Sequence, residues 1–345
     1  MKLKYYKSRF ITVIILILIF ACLTTFVVYY LKNVKMKEKF ENQIILLEQK
    51  PTPKKVHLWI IFPETHYLID KVEFMYKPMS QTIIQLINYL YIDVIIDYKY
   101  FGINKFEETY YDDIKPNDML IVIGHTSTTP YDLLKNKGIY TIQYHTEPST
   151  DKYMVDEIWT YSRQLFNNYE KSHDTQIIKF VPVVCNKNLP SIPYILKEDK
   201  IQLAFIGSMG YRGNKPNILF ENTFLKDNFI EEDNLWDDET YDKFMTTEPR
   251  IYLNLTRDGT NALPSFRINK LLDYKSIIIS EHTNDLDEEI YKDIVYFCDI
   301  DKIGETFKKL SDKSGKELQT ISNEIYNKYY NKFCCENVVN ITERK

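Results

Sequence analysis

Glycine is scarce in this chain, nine residues in 345. Neither the P-loop spacing GxxxxGK[ST] nor the dinucleotide fingerprint GxGxxG occurs, so the two commonest phosphate-cradling loops are excluded. Cysteine is also sparse. Cys22, Cys185, Cys298, Cys334 and Cys335 are odd in number and lack metal-ligand spacing, which argues against a disulfide framework and a zinc site. An excess of positive charge is missing too: 44 Lys and Arg stand against 48 Asp and Glu, a net charge of −4. A nucleic-acid binder usually carries a clustered basic surplus, so no nucleic-acid partner is expected. The abundance of Tyr, Ile, Asn and Lys is a base-composition bias.

What is present begins with one long apolar run. Phe10 to Leu31 carries no charge, and about 20 such residues cross a bilayer core. It exceeds the roughly 7–15-residue core of a signal peptide, so residues 10–31 are expected to form an uncleaved transmembrane anchor behind a short tail, 1–9. Lysines flank both sides of the run, so the positive-inside rule gives no orientation. Residues 32–55 are charged, end in Pro51-Thr52-Pro53, and read as a stem.

The soluble chain alternates strand-like apolar runs with helical periodicity, the pattern of a doubly wound parallel sheet. Val56–Phe62, Val94–Ile96, Met119–Ile123, Ile139–Tyr144, Glu157–Ser162 and Ile177–Pro182 are the expected strands of a first domain, 56–184. Ser80 is read as the cap of a helix carrying Ile83, Ile84, Leu86, Ile87 and Leu90. Residues 185–199 read as a linker. The strand pattern then restarts with Gln202–Ile206, opening a second domain, 200–303. A helical tail, 304–345, closes the chain.

The most informative stretch is Ile251–Phe297. Ile251–Leu255 predicts a strand, Thr256–Asn261 a polar loop, Ser265–Leu272 a helix opened by Pro264, and Ile277–Glu281 a second strand. Short continuous apolar runs are typical of strands buried on both faces. Ligands of open α/β sheets bind outside the carboxyl ends of the strands, where Thr256, Arg257, Ser280 and Glu281 fall. A helix start suits phosphate, and Arg257 and Arg267 add charge-assisted donors. Lys270 lies three residues after Arg267, on a shared side of the helix. The loop Gly207-Ser208-Met209-Gly210-Tyr211-Arg212-Gly213-Asn214-Lys215 follows the strand that opens the domain. Its glycines allow close backbone approach, and Arg212 and Lys215 suit a diphosphate.

These two stretches carry a resemblance. The order strand, polar loop, arginine helix and "ISE" strand, with Arg267-Ile268 and Ile279-Ser280-Glu281 matching, resembles the donor-binding half of GT-B, group 1-like glycosyltransferases. Phe205–Lys215 resembles the loop that opens that half. "YTIQYHTEP", "EIWTYS" and "IKFVPVV" fall in the order found near the end of the acceptor half. The resemblance implies two Rossmann-like doubly wound domains after a transmembrane helix. It also implies a membrane-anchored transferase moving a sugar from a nucleotide-sugar donor to a hydroxyl of a glycan, glycoprotein or glycolipid. Donor contacts are then expected from Gly207, Ser208, Arg212, Lys215, Arg257, Ser265, Arg267, Lys270 and Glu281. A solvated helix face is the plain alternative for Arg267 and Lys270.

No metal or other cofactor is expected to be required. Asp285-Leu286-Asp287 and Asp299-Ile300-Asp301 match the short DxD pattern of metal-dependent transferases, but both sit where helix caps are expected. His145, Glu147 and Glu64 are the candidates for the base that deprotonates the acceptor, with His66 and His125 near the same edge. Local hydrogen bonding for His145 and lysine pairing for Glu147 are the alternatives. By analogy with tethered transferases, a single-pass, type II placement with a lumenal or extracytoplasmic catalytic part is expected. At Pro264-Ser265 relatives carry an acidic residue. The alternative this leaves is a nucleotide- or glycan-binding protein of the same fold without turnover.

Overall fold

The computed structural model describes residues 52–62, 69–91, 93–102, 108–124, 131–145, 154–172, 177–186, 188–196, 201–259 and 262–338, all within one compact unit. The expected anchor, 10–31, lies outside them. Among the described residues no helix is long and apolar enough to cross a membrane.

The first sheet contains β1 (Lys55–Phe62), β2 (Ile95–Gly102), β3 (Met119–Gly124), β4 (Tyr140–His145), β5 (Glu157–Thr160) and β6 (Ile177–Phe180). Their spatial order is β2-β1-β3-β4-β5-β6, and every pair is parallel. Helices α1 (Ile69–Leu90), α2 (Tyr131–Asn136) and α3 (Arg163–Ser172) lie between strands in sequence. β3 is buried along nearly its whole length, as a strand covered on both faces must be.

The second sheet contains β7 (Gln202–Ile206), β8 (Phe229–Glu232), β9 (Arg250–Asn254), β10 (Ile278–Glu281) and β11 (Tyr296–Cys298). Its order is β11-β10-β9-β7-β8, again all parallel. Between these strands run α4 (Lys215–Phe220), α5 (Thr223–Asp227), α6 (Asp238–Thr247), α7 (Ser265–Asp273) and α8 (Glu288–Tyr291). This lobe has one continuous core, in which Leu203, Phe205, Ile251, Leu253, Ile268, Leu272 and Ile279 are all buried. Two parallel sheets with interleaved helices are the architecture that the GT-B resemblance implies.

Among the described residues the tail carries α9 (Ile303–Ser311) and α10 (Gly315–Phe333), followed by a helical turn over 335–338. A reciprocal capping box starts α10: the Ser314 hydroxyl accepts from Glu317 N, and the Glu317 carboxylate accepts from Ser314 N. The end of α10 returns to the junction between lobes, where Cys185 N donates to Phe333 O at 2.8 Å. Asp273, at the end of α7, ties this junction together. Its Oδ1 accepts from Asn186 N at 2.8 Å and from the Tyr329 hydroxyl at 2.9 Å. Burial pushes the Asp273 carboxyl up to about 8, against the lowering effect of those two hydrogen bonds.

A carboxyl whose folded pKa is raised contributes stability that is complete below its unfolded pKa and lost as pH rises through the folded one. Asp273→Asn keeps an acceptor oxygen and removes the titration. The variant is expected to match the wild type in denaturant melts near pH 4 and to exceed it by about 1–3 kcal/mol near pH 9. That is less than the full linkage value, which is about 1.4 kcal/mol for each tenfold change in proton affinity.

Three element boundaries differ from the sequence expectation. Ser80 is inside α1, not at its start: its hydroxyl bonds back to Lys77 O at 3.0 Å. Pro78 is also accommodated within that helix. β2 extends to Gly102, because Tyr98 and Tyr100 continue the strand past the short apolar run. The apolar run Ile294–Phe297 reads as a strand in the sequence, but β11 begins at Tyr296, since Ile294 N and Val295 N both bond back to Tyr291 O and finish the preceding helical turn.

Candidate functional site

The order of the second sheet reverses between β7 and β9. Loops leaving two such strands turn to opposite faces and open a crevice at the carboxyl edge. The loop after β7 and the loop after β9 meet here, joined by Asp258 N donating to Tyr211 O at 3.0 Å. Gly207 takes φ +130° and Gly213 φ +59°, the first with its N–H bonded to Glu232 O at 2.8 Å. Ser208 caps the turn Met209–Tyr211 by accepting from Gly210 N. A Cβ at Gly213 would stand 2.6 Å from the Asp258 carboxyl carbon, so that side chain would have to turn away. Gly213→Ala is expected to cost about 1–2 kcal/mol from the left-handed backbone alone, read by urea denaturation.

Three arginines collect around two aromatic rings, two of them sharing the ring of Phe205. The Arg212 guanidinium lies 5.2 Å from the Phe205 ring centroid, and that of Arg267 lies 5.6 Å from it. Arg267 Nη1 also donates to Leu255 O at 3.1 Å. The Arg257 guanidinium lies 5.9 Å from the Tyr211 ring. Burial first, and then the neighbouring Arg212, lowers the pKa of Arg267 to about 10. Burial likewise lowers that of Arg212, with Arg257 adding to the effect and Glu281 opposing it. Arg212 is 6% exposed, and its buried Nε has no hydrogen-bond acceptor among the described residues.

Like charges in a dry site are unfavourable unless an anion accompanies them. No carboxylate among the described residues forms an ion pair with Arg212 or Arg267. The arrangement suits an anion with several acceptor oxygens, for which guanidinium geometry is matched.

Lys215, Thr256 and Glu281 form a separate knot at the base of the crevice. Lys215 Nζ donates to Glu281 Oε1 at 2.7 Å and to Thr256 Oγ1 at 2.7 Å. The same Glu281 oxygen accepts from Thr256 N at 2.6 Å and Thr256 Oγ1 at 2.8 Å. Glu281 therefore locks the β9 loop to the β7 loop through Oε1.

The remaining donor candidates part company. Ser265 is buried, with its hydroxyl on Leu263 O at 3.3 Å, so it shapes the start of α7. Pro264 is the cap residue of that helix. Lys270 is not brought to the arginines: its ammonium lies over the rings of Phe74 and Tyr241. Phe205, the shared platform, lies in the stretch that carries the resemblance but is not among the expected site residues, because nothing in a strand residue's local pattern marks the ring beneath two arginines.

In the first sheet the order reverses between β1 and β3. Glu64 and His66 follow β1, and His125 follows β3. All three, with Glu147, lie outside the described residues. His145 ends β4 and is buried, paired in register with Thr160.

The two DxD segments do other work. Asp285 accepts from Leu263 N at 2.7 Å and Asp287 N at 2.9 Å. Asp287 accepts from Arg163 N at 2.9 Å, bonding the second lobe to the start of α3 in the first. Burial, and for Asp287 the adjacent Asp285, raises both carboxyls. Asp299 stands at the N-cap position of the turn Ile300–Lys302, where its backbone carbonyl accepts from Lys302 N at 2.9 Å and its side chain makes no capping bond. Among the described residues no group of three metal-ligating side chains occurs. Asn254, at the end of β9, is fully buried, with Nδ2 donating to Ser280 Oγ at 2.9 Å.

No protein-family model matches the chain, and no curated protein matches it. Solved structures do overlap with it. The lipopolysaccharide outer core galactosyltransferase WaaB, apo form, is 10% identical with a TM-score of 0.47, covering 84% of this chain and 98% of that one. An alpha1,3-fucosyltransferase with GDP-fucose is 9% identical with a TM-score of 0.44, covering 86% and 90%. OtsA in its apo form is 7% identical with a TM-score of 0.42, covering 84% and 98%. The residues of the crevice, not these likenesses, carry the reading that follows.

Proposed function

We propose that the chain is a GT-B-type glycosyltransferase that takes a nucleotide-sugar in the crevice between the β7 and β9 loops. The observation that carries this reading is the crowding of Arg212 and Arg267 over Phe205, with no carboxylate among the described residues ion-paired to either. A diphosphate supplies the opposing charge, and its negative charge grows as the sugar leaves. Preorganised donors aimed at developing charge are the largest single contribution in many such reactions.

Arg212 and Arg267 hold the diphosphate, fixed over Phe205. Arg257, exposed at the rim, completes the clamp. Lys215 and Glu281 keep the loops in register, and Glu281 Oε2, which takes no hydrogen bond from the described residues, accepts a ligand hydroxyl. The acceptor hydroxyl enters from the first lobe, where Glu64, His145 and Glu147 are the candidate bases. A glycan, glycoprotein or glycolipid is the acceptor class, no metal is required, and residues 10–31 tether the chain to a membrane in a type II orientation. Protease protection of the stem in sealed vesicles tests that tether; cleavage at the stem without detergent contradicts a lumenal placement.

The full-length chain, incubated with a panel of nucleotide-sugars, is expected to release nucleoside diphosphate from one of them, faster when a hydroxyl acceptor is present. Binding of the nucleoside diphosphate without any release favours the second reading, a binding protein. Pro264-Ser265 is the observation behind it, because the buried Ser265 hydroxyl offers no carboxylate at the start of α7.

A further inference from the structure

A second cavity, of about 120 Å³, lies between the lobes, where α1 of the first faces α6 and α7 of the second. Its wall includes Lys77 and Gln81 from α1, Asp238 and Asp242 from α6, and Lys270 from α7. Lys270 is the donor candidate that the arginine crevice leaves out. Its Nζ is buried and has no hydrogen-bond acceptor among the described residues, although the Phe74 and Tyr241 rings flank it. Burial lowers the Lys270 pKa to about 7, but charged or neutral the amine keeps its N–H donors, and aromatic faces satisfy none of them as an oxygen does.

The lining decides the class of ligand. A free anion meets Asp238, Asp242 and Asp273, and a free cation meets Lys77 and Lys270. Several of these charges are already matched. Lys77 bonds Asp238, the Tyr274 hydroxyl bonds Asp242, and Asp273 accepts from Asn186 N and Tyr329. What is left is a mixture of donor and acceptor positions beside aromatic rings. A neutral polyhydroxyl compound fits that mixture, because each hydroxyl both donates and accepts. The volume corresponds to a few waters at about 30 Å³ each, enough for the hydroxylated edge of one sugar ring.

We infer that this inter-lobe cavity is a second carbohydrate subsite, apart from the arginine crevice, in which Lys270 donates to a hydroxyl oxygen of a sugar and Gln81 and Asp242 take up its neighbours. The subsite does not depend on the donor reading. A sugar seated here touches α1 and α7 together, so it links the lobe carrying the acceptor candidates to the helix carrying Arg267.

Saturation-transfer NMR on the full-length chain, with D-glucose, D-galactose and N-acetylglucosamine as separate probes, tests it. At least one sugar is expected to receive saturation from the wild type. That signal should disappear in Lys270→Met and fall in Gln81→Leu, the second variant guarding against misfolding of the first, and it should persist in Arg212→Met. Absence of signal for all three sugars in the folded wild type overturns the inference. So does a signal that persists in Lys270→Met and disappears in Arg212→Met, which assigns the sugar to the arginine crevice. Nucleoside diphosphate binding, measured in parallel, reports on the crevice alone and is expected to survive Lys270→Met.

Discussion

Lys179→Met is expected to destabilise the protein by about 3–5 kcal/mol, the usual range when one partner of a buried ion pair is removed. Glu157 and Lys179 lie on adjacent strands of the first sheet, and both are essentially inaccessible to water. Lys179 Nζ donates to Glu157 Oε1 at 3.0 Å, and the same carboxylate accepts from Tyr140 Oη at 2.6 Å and Trp159 Nε1 at 2.8 Å. With methionine at 179 the carboxylate keeps the two neutral donors and loses the ammonium. The effect belongs to the abandoned charge, not to the pair as such. Adding Glu157→Gln is therefore expected to recover much of the loss. Equilibrium urea unfolding of both single variants and the double variant measures this. A double variant as unstable as the sum of the singles contradicts the account.

The second large effect concerns Arg267. Replacing it with methionine removes a guanidinium held over Phe205 and repelled by Arg212. Without ligand the fold is expected to lose little, because the lost bond to Leu255 O is offset by relief of like-charge crowding. Ligand binding is expected to fall sharply. Hydrogen bonds to charged groups are worth about 1.5–3 kcal/mol, so loss of one arginine from a diphosphate weakens binding by about 10- to 150-fold at 1.4 kcal/mol per decade. An arginine serving only as packing over Phe205 gives the opposite pattern: lower stability and unchanged affinity. Thermal unfolding with and without a nucleoside diphosphate separates the two.

Some of this architecture was open to reading from the chain alone. β9, the polar loop, α7 and β10 were legible because parallel strands buried on both faces read as unbroken apolar runs. The loop from Gly207 to Lys215 was legible because its few glycines stand out in a glycine-poor chain. Other parts carried no such signal. β8, Phe229–Glu232, is a short edge strand ending in two glutamates, and its membership in the sheet depends on pairing with β7. The extent of α1 was hidden because Ser80 and Pro78 both resemble boundary residues, yet packing keeps them inside the helix.

Helical spacing placed Arg267 and Lys270 on one side of α7, but a three-residue step leaves them roughly 60° apart. That angle suffices to send one toward Phe205 and the other toward Phe74 on the opposite lobe. The DxD pairs show the complementary case. Their spacing suggests a metal, whereas Asp285 and Asp287 hold backbone N–H groups at Leu263, Asp287 and Arg163.

The central claim is that the arginines of the β7 and β9 loops bind a diphosphate. Isothermal titration of the full-length protein with UDP, GDP, ADP and CDP, in wild type and in Arg212→Met, measures it most directly. The account predicts saturable binding of at least one of the four by the wild type and a loss of about tenfold or more in the variant. No binding by the folded wild type, or equal affinity in the variant, contradicts it.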